Sequence, residues 1–529
     1  MVMLAGVVSG LLGFISFPKL SLSWLAWIAL VPLMAAMLQD GRKGLAFWAG
    51  YAGGVVFFAG SCPWVFTTLH RYGSLNYTVT TLAFILFLAL TGIFWALFAA
   101  SGTWLARRFP LFAPLLLAAL WTAIELLRTH VPFGGFPWNL LGASQVNHAG
   151  FMLALPLGGV YGASFLVALG NALLASLLRR GWNLWRGGQG GRPWPHPGRK
   201  ATIAEAVILF LLIGFATFPY DPSPPPTAQI GACLVQPVTK FNTQWNDPVY
   251  AHFLGRMGEL TRRCTASTAP GSPATLVLWP EQPAPLEYQL QPQLQAQLAA
   301  LATQMHAEIV LEEVGYGVNS QGLPQMNQPH NSALEIKPNG QAGARYDKLH
   351  LVPFGEDLPL PNWLLHIPAL ARWTALAGNF VAGRRMTLFS LGSDRFGVLI
   401  CYESDFPQLA RQMTADGANW LVNLSDDGWY GNSSAAAQSL AGARLRAMEN
   451  RRWMLRATND GITAVIDPRG RVTARLPRWQ REVLEARFSA HRRLTFYTRH
   501  GDWPGRGCAI IVLIFAAISF IPRRRPKPL

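Results

Sequence analysis

The sequence of 529 residues contains little charge. Only 13% of the residues are Asp, Glu, Lys or Arg, whereas soluble domains usually have about 25%. This shortage excludes a protein that is an ordinary soluble domain throughout. Acidic residues are the scarcer kind, because 27 Asp and Glu stand against 44 Lys and Arg. The resulting net charge of +17 fits either nucleic acid or a membrane surface as a partner.

Motifs that bind nucleic acid are absent. The sequence contains no zinc-finger spacing and no aromatic RNA-binding motif. Most of the basic residues lie in short loops beside apolar runs, where the rules of membrane insertion explain them. We therefore expect no nucleic-acid partner.

Cysteine is also scarce. The five cysteines stand at positions 62, 233, 264, 401 and 508, and none forms a CxxC pair. An odd number without such spacing predicts neither a metal site nor a disulfide framework. We expect no metal and no cofactor, and we expect Cys401 to keep a free thiol.

Long apolar runs, by contrast, are plentiful before residue 220 and after residue 507. A membrane-spanning helix needs about 20 apolar residues, and the first and last of the candidate segments are shorter. The N-terminus lacks a basic lead and a cleavage site, so we expect an uncleaved first helix. The pattern predicts eight spans, at 3–17, 20–38, 44–67, 78–100, 111–127, 150–178, 202–218 and 508–522.

The Lys and Arg residues of the short loops predict the orientation of these spans. With the N-terminus in the cytoplasm, the outside loops carry only Lys19, Arg71 and Arg128. Lys and Arg are enriched in cytoplasmic loops, so this orientation is favoured and the globular part lies outside the cytoplasm. The inside loops carry fourteen basic residues, namely Arg42, Lys43, Arg107, Arg108, Arg179, Arg180, Arg186, Arg192, Arg199, Lys200, Arg523, Arg524, Arg525 and Lys527.

Three domains follow from this division. Residues 1–225 form an N-terminal membrane domain with seven spans, residues 226–490 form a globular domain, and residues 491–529 form a last span with a basic tail. Short apolar strands alternate with helices in the globular part, which predicts a layered α/β sandwich. The predicted helices are 248–264, 290–305 and 433–452, and the predicted strands are 229–236, 275–279, 308–313, 333–337, 344–346, 397–401, 420–424, 463–466 and 471–475.

Three residues at or near the ends of these strands form a plausible nucleophilic set. They are Glu281 after Trp279-Pro280, Lys348 after the 339–340 hairpin turn, and Cys401 at the end of an apolar strand. A nearby cation lowers the pKa of a thiol, and a carboxylate can take its proton and return it later. An ammonium can also stabilise the oxyanion of a tetrahedral intermediate.

Each residue alone has a simpler interpretation. A cysteine that ends an apolar strand is more often a small core residue, and a single Glu or Lys there is usually a solvated charge. Only the occurrence of all three together favours catalysis.

The motifs Trp279-Pro280-Glu281, 348–356 and Ile400-Cys401-Tyr402-Glu403 resemble those of the nitrilase, or carbon–nitrogen hydrolase, superfamily. That resemblance implies an αββα sandwich. With seven helices before the domain and one after it, nearly the whole chain is similar to the apolipoprotein N-acyltransferase family. The likeness includes residues 135–138 and 456–464.

The resemblance implies a reaction in two halves. Cys401 takes a fatty acyl group from a phospholipid as a thioester, and the α-amine of the S-diacylglyceryl cysteine of an apolipoprotein then accepts it. Glu281 is the implied general base and acid, and Lys348 stabilises the oxyanion. The implied setting is the bacterial inner membrane, with a periplasmic catalytic domain, both termini cytoplasmic and a monomeric chain in the bilayer.

Further residues take implied roles near this triad. Glu356 is similar to an auxiliary glutamate of the family, and Tyr402 and Glu403 match the positions beside the nucleophile. The Tyr402 backbone amide is a candidate oxyanion donor, and Trp245 resembles a tryptophan near the substrate entrance. Two positions differ from the family pattern: Asp426 stands for an Asn, and Ser439 after Gln438 stands for a His.

Two apolar stretches have two interpretations each. The glycine-rich loop 128–142 is either an aromatic belt at the membrane interface or a mouth for lipid. The stretch 358–380 is either a lid that dips into the membrane or ordinary domain packing.

Two other functions compete with the acyltransferase. A membrane-tethered amidase of the nitrilase type needs one anchoring helix and not eight. A transporter or scaffold with a degenerate domain conflicts with the intact triad, and the helices lack a central charged relay.

Overall fold

The structure is a computed structural model, and it describes all residues except 41, 72, 74, 186–197, 218–229, 242, 265–274, 360–378 and 522–529. The chain divides into two compact units. The first comprises Met1–Pro63, Thr78–Asp221 and His500–Leu529, and the second comprises Trp64–Tyr77 and Pro222–Arg499. The domain boundaries that the sequence places at residues 225 and 490 remain a prediction.

The first unit is a bundle of apolar helices. Within the described residues, five helical segments are long and apolar enough to cross a membrane, and three further apolar helices are shorter. Its helices are α1 (Val2–Ile15), α2 (Ala26–Ala29), α3 (Val31–Asp40), α4 (Lys43–Ser61), α6 (Tyr77–Arg108), α7 (Ala113–Arg128), α8 (Phe151–Trp185), α9 (Arg199–Thr217) and α15 (Trp503–Ser519).

Glycines bring α1 and α4 into close contact. A Cβ added to Gly6 would lie 1.9 Å from the Ala49 carbonyl oxygen, and one added to Gly10 would lie 2.3 Å from the Gly53 carbonyl oxygen. Small residues let apolar helices approach closely, so dispersion contacts hold the two together.

One predicted span is wrong at its end. The segment 44–67 breaks at Pro63, and a separate helix α5 (Trp64–Arg71) belongs to the second unit. Proline lacks an N–H and disfavours helical backbone at the residue before it. Cys62 accordingly leaves the helical region, with φ −124° and ψ 37°.

The loop after α7 is held by polar side chains of that helix. Arg128 Nη1 donates to the carbonyl oxygens of Phe136 (2.9 Å) and Trp138 (2.8 Å). Glu125 Oε1 accepts from the Leu141 backbone N–H at 2.7 Å. These bonds satisfy backbone groups that an apolar surrounding would leave unpaired, and Trp138 is buried.

The second unit contains two six-stranded sheets. Their orders are β12-β1-β2-β3-β4-β5 and β11-β10-β9-β8-β7-β6. The strands are β1 (Ile230–Gln236), β2 (Thr275–Leu278), β3 (Ala307–Val318), β4 (Pro324–Ile336), β5 (Ala342–Asp347), β6 (Leu388–Leu391), β7 (Asp394–Ile400), β8 (Trp420–Ser425), β9 (Met454–Thr458), β10 (Ala464–Ile466), β11 (Val472–Arg475) and β12 (Glu482–Phe488).

Helices cover these sheets, and the sheets meet through β1 and β9. Helices α10 (Asp247–Arg262) and α11 (Pro292–Met305) pack on the first sheet. Helices α12 (Pro407–Ala415) and α13 (Ala435–Asn450) pack on the second, and α14 (Phe496–His500) ends the unit. The result is the expected αββα sandwich.

The central strands of both sheets run parallel, β1 with β2 and β3, and β7 with β8 and β9. Because parallel neighbours end at the same edge of a sheet, the residues that follow β7 and β8 lie together. The hydrogen bond from the Asp426 N–H to Glu281 brings the segment after β2, in the other sheet, to the same place. Strands β6, β9 and β12 and helix α12 were not predicted.

A disulfide corrects the expectation from cysteine spacing. Cys233 on β1 and Cys264 after α10 form a disulfide across 31 residues. The pair is separated too widely in sequence for a spacing motif to identify it, and only the packing of α10 on the sheet brings the two together. Cys62, Cys401 and Cys508 are buried and take part in no disulfide within the described residues.

Candidate active site

Cys401 occupies a sharp turn after β7. Its φ is +51°, and a 3-10 helix, Cys401–Asp405, begins at this residue. Left-handed backbone at a non-glycine residue costs about 1–3 kcal/mol and is often found at functional sites. Asn423 secures the turn by donating to the carbonyl oxygens of Leu399 (3.0 Å) and Cys401 (3.2 Å).

Glu281 follows β2 and faces the thiol. One carboxylate oxygen accepts from the Asp426 backbone N–H at 3.0 Å, and the other accepts from Asn331 Nδ2 at 3.1 Å. The negative charge of this carboxylate also acts on the Cys401 thiol and raises its pKa, after burial. Glu281 therefore has a fixed orientation and direct access to the proton of the thiol.

Lys348 is completely enclosed beside two carboxylates. Its Nζ lies 2.7 Å from Glu356 Oε1 and 3.6 Å from Glu281 Oε1. Burial by itself lowers the pKa of the Lys348 ammonium, but Glu356 and Glu281 outweigh burial and raise the pKa above its usual value. The cation is thus retained at the site at neutral pH.

The Cys401 thiol is protonated in the resting site. Burial raises its pKa most, the negative charge of Glu281 raises it further, and Lys348 opposes both. The net shift is well above the usual value. The site therefore needs a base to form the thiolate, and Glu281 is the carboxylate placed to act as one.

Glu403 connects the lysine segment to the cysteine turn. Its Oε1 accepts from Tyr346 Oη (2.8 Å) and from the backbone N–H groups of Leu349 (2.7 Å) and His350 (3.1 Å). Its Oε2 accepts from the Ile400 N–H at 2.9 Å. Burial raises the pKa of Glu403 even though these bonds oppose the rise. Both oxygens are thus engaged in positioning.

Tyr402 and Trp245 are the remaining residues predicted at the site, and they lie in different parts of the domain. Tyr402 directly follows Cys401, and its ring packs edge-on against Phe406 at 4.9 Å. Trp245 contacts Tyr250 and Phe253 at one hydrophobic cluster of the domain. These ring contacts do not connect Trp245 to the triad, so its role at a substrate entrance stays a prediction.

Asn331 was missed in the sequence and joins two of the carboxylates. Its Nδ2 donates to Glu281 Oε1 at 3.1 Å and to Glu356 Oε1 at 2.8 Å, and its backbone carbonyl accepts from the Lys348 N–H at 2.8 Å. Asn331 lies between the polar residues His330 and Ser332 in the buried end of β4, so nothing in the sequence singled it out.

Glu312 is a further carboxyl group beside the triad. It lies on β3 and is buried. Burial and then the charge of Glu281 raise the pKa of Glu312 well above its usual value, despite the opposing charge of Lys348. These surroundings therefore favour the protonated form of Glu312, which would not compete for the lysine.

The departure from the family pattern at Asp426 is compatible with this arrangement. The bond to Glu281 comes from the Asp426 backbone, which any residue but proline provides. Burial and then the charge of Asp460 raise the pKa of the Asp426 carboxyl well above its usual value. This shift favours the protonated carboxyl group, which has the shape of the amide that it replaces. Gln438 and Ser439 are both buried on α13.

The stretch 358–380, interpreted as a lid or as packing, lies almost wholly outside the described residues. The described residues include no group of three or more His, Cys, Asp or Glu arranged to hold a metal ion.

Comparison with known proteins extends the likeness to the whole chain. Residues 9–173 match the apolipoprotein N-acyltransferase N-terminal domain, and residues 243–493 match the carbon-nitrogen hydrolase family. The apolipoprotein N-acyltransferase of Geobacter metallireducens is 31% identical over 98% of this chain and 95% of that protein. This chain belongs to the apolipoprotein N-acyltransferase family.

A second relative and a solved structure extend the comparison. The apolipoprotein N-acyltransferase of Methylococcus capsulatus is 32% identical over 99% of this chain and 96% of its own length. A solved mutant of the Nesterenkonia AN1 amidase from the nitrilase superfamily is 19% identical, covers 52% of this chain and 95% of its own, and has a TM-score of 0.37.

Membership in the apolipoprotein N-acyltransferase family separates the competing functions. The N-terminal match identifies the helical unit as part of that family. Neither a tethered amidase nor a scaffold is expected to contain this N-terminal domain. The chain is therefore a membrane-bound acyltransferase with a carbon–nitrogen hydrolase domain.

Proposed function

We propose that the chain moves a fatty acyl group from a membrane phospholipid to the α-amine of the S-diacylglyceryl cysteine of apolipoproteins. The observation that carries this proposal is the free Cys401 thiol at a strained turn, in a chain of this family, where the charges of Glu281 and the buried Lys348 act on it and lie 3.6 Å apart.

In the first half-reaction Glu281 takes the thiol proton as Cys401 Sγ attacks an ester carbonyl of the phospholipid. The Lys348 ammonium and the Tyr402 N–H stabilise the oxyanion. Collapse of the intermediate breaks the ester C–O bond, and Glu281 returns the proton to the lysophospholipid oxygen. Cys401 is left as a thioester.

In the second half-reaction the lipoprotein amine attacks the thioester carbonyl. Glu281 takes a proton from the amine, the C–S bond breaks, and the proton passes to the cysteine sulfur. An amide and a free thiol result. A thioester suits aminolysis better than an oxygen ester does, and a water-poor site limits its hydrolysis.

The proposed setting is a bacterial inner membrane with eight spans, the catalytic domain in the periplasm and both termini in the cytoplasm. Loop charges support this orientation. The Cys233–Cys264 disulfide supports it independently, because disulfides persist in oxidising compartments and are rare in the cytosol. The chain is proposed to act as a monomer, with Glu356 and Glu403 as positioning carboxylates.

The first test follows the acyl group. Phospholipid labelled in one fatty acid should leave hydroxylamine-sensitive label on the protein when the acceptor is omitted. Cys401→Ala should remove this label completely, whereas Cys62→Ala, which changes another free buried cysteine, should retain it. Label that persists in Cys401→Ala would disprove the thioester.

A further inference from the structure

A cavity of about 320 Å³ opens within the second unit, between α5 and the segment after β8. Its wall includes His70 and Arg71 at the end of α5, and Tyr430, Asn432 and Ser433 after β8. The two segments are joined directly, since Thr68 Oγ1 donates to the Trp429 carbonyl oxygen at 2.9 Å. The Trp64 and Tyr430 rings pack edge-on at 5.0 Å.

Tyr430 connects this cavity to the segment that binds Glu281. It lines the cavity and ends the turn Asp427–Tyr430. This turn directly follows Asp426, whose backbone N–H donates to Glu281 at 3.0 Å. Burial and then the charge of Cys401 raise the pKa of the Tyr430 phenol. One short segment of chain therefore joins the cavity to the catalytic residues.

The cavity has the chemistry of an anion site. Arg71 supplies a permanent positive charge, its Nη1 lies near Gly431, and the described lining contains no Asp or Glu. Asn432 and Ser433 are residue types that bond phosphate oxygens. A guanidinium binds phosphate through two parallel N–H bonds, which gives orientation as well as affinity.

Aromatic rings add an amphiphilic character to this wall. Phe66 and Tyr77 line the cavity with His70, and the His70 and Tyr77 ring centroids lie 4.0 Å apart. His70 Nδ1 is engaged with the Leu75 carbonyl oxygen at 2.9 Å, so its Nε2 edge is the one left for a ligand. Aromatic rings beside a positive charge can accommodate the part of a phospholipid where the charged headgroup joins the glycerol.

We infer that this cavity binds the phosphate of the phospholipid donor, with Arg71 as its principal contact. The inference rests on the proposed function. The diacylglyceryl acceptor carries no phosphate, so the site distinguishes donor from acceptor. A phosphate held there places the glycerol ester, only a few bonds away, toward Cys401.

The test compares two donors in full-length protein in detergent micelles. A phospholipid and the diacylglycerol with the same acyl chains differ only in the headgroup. Wild-type protein should form acyl-enzyme much faster from the phospholipid. Arg71→Gln should raise the KM for phospholipid about 10-fold or more, as expected for loss of a charge-assisted bond, and should leave the KM for an S-diacylglyceryl peptide unchanged.

The matched control is Arg475→Gln, which changes an exposed arginine on β11 and should behave as wild type. Both variants should unfold at the wild-type temperature. An unchanged phospholipid KM in Arg71→Gln, or an equal loss with both donors, would overturn the inference. Inorganic phosphate that inhibits as well as glycerophosphoethanolamine would identify free phosphate as the ligand and overturn it too. Wild-type protein that acylates from neither donor would instead refute the proposed function.

Discussion

At the residue scale, the site depends on how three carboxyl groups share one lysine. Glu356 and Glu281 lie 2.7 and 3.6 Å from the Lys348 ammonium, whereas burial and then the charge of Glu281 raise the pKa of Glu312 and favour its protonated form. Asn331 lies between the first two and donates to both. A neutral donor at this position holds the carboxylates apart without adding charge.

Changing this donor should damage the chemistry. Asn331→Asp keeps the size but replaces a donor with an acceptor that faces two carboxylates. We expect the rate of acyl-enzyme formation to fall on the order of 100-fold, because two hydrogen bonds become repulsive contacts. Single-turnover labelling with phospholipid measures this rate.

The matched control makes the same chemical change elsewhere. Asn339→Asp alters the exposed turn between β4 and β5 and should leave the rate at its wild-type value. If Asn331→Asp reacts as fast as this control, then the Asn331 bridge has no part in the reaction.

At the element scale, strand ends and register determine which side chains meet. The strand-end positions of Glu281 and Cys401 were readable from the sequence, because apolar runs followed by turns mark strand ends. The sheet order was not readable. Strands β6, β9 and β12 escaped prediction because they are short or contain charged residues that form ion pairs elsewhere in the domain, such as Glu482 with Arg263.

Burial within a strand also creates a pH-dependent stability. Glu313 on β3 is buried, and burial raises its pKa to about 7, although the Tyr288 N–H bond opposes the rise. The folded state therefore holds this proton more tightly than the unfolded chain does, whose Glu pKa is about 4.3. The stabilisation is full below about pH 4.3 and is lost as the pH rises through about 7.

Glu313→Gln should remove this dependence. The variant should gain stability over wild type between about pH 5 and about pH 8, by up to about 3 kcal/mol at about 1.36 kcal/mol for each pKa unit. Thermal unfolding in detergent at both pH values measures the gain. If the stability difference between Glu313→Gln and wild type is the same at both pH values, the raised pKa of Glu313 is contradicted.

At the scale of the whole molecule, one chain combines an apolar helical unit with a sandwich of two sheets. After the break at Pro63, α5 belongs to the sandwich unit, although the sequence pattern assigns its first residues, 64–67, to a span. Helix α5 begins with three apolar residues directly after the apolar run of α4. From the sequence alone, α5 is therefore interpreted as the end of a span. In the structure it packs against the turn Asp427–Tyr430 of the second unit.

The proposed orientation can be tested by thiol labelling from one side. In a Cys401→Ala background, Ser320→Cys in the sandwich should react with a membrane-impermeant reagent in spheroplasts. Lys43→Cys at the start of α4 should react only after permeabilisation, because it lies in a proposed cytoplasmic loop. Both positions are exposed. The reverse pattern would invert the orientation.

The sequence by itself determined the partition into apolar and globular parts, the layered sandwich and the three candidate catalytic residues, because hydropathy and strand-end motifs are local properties. Only the tertiary structure decided the Cys233–Cys264 disulfide, the bridging role of Asn331, the burial of Glu312 and the cavity between α5 and Tyr430. Each of these depends on residues far apart in the chain, and only sheet order and burial bring such residues together.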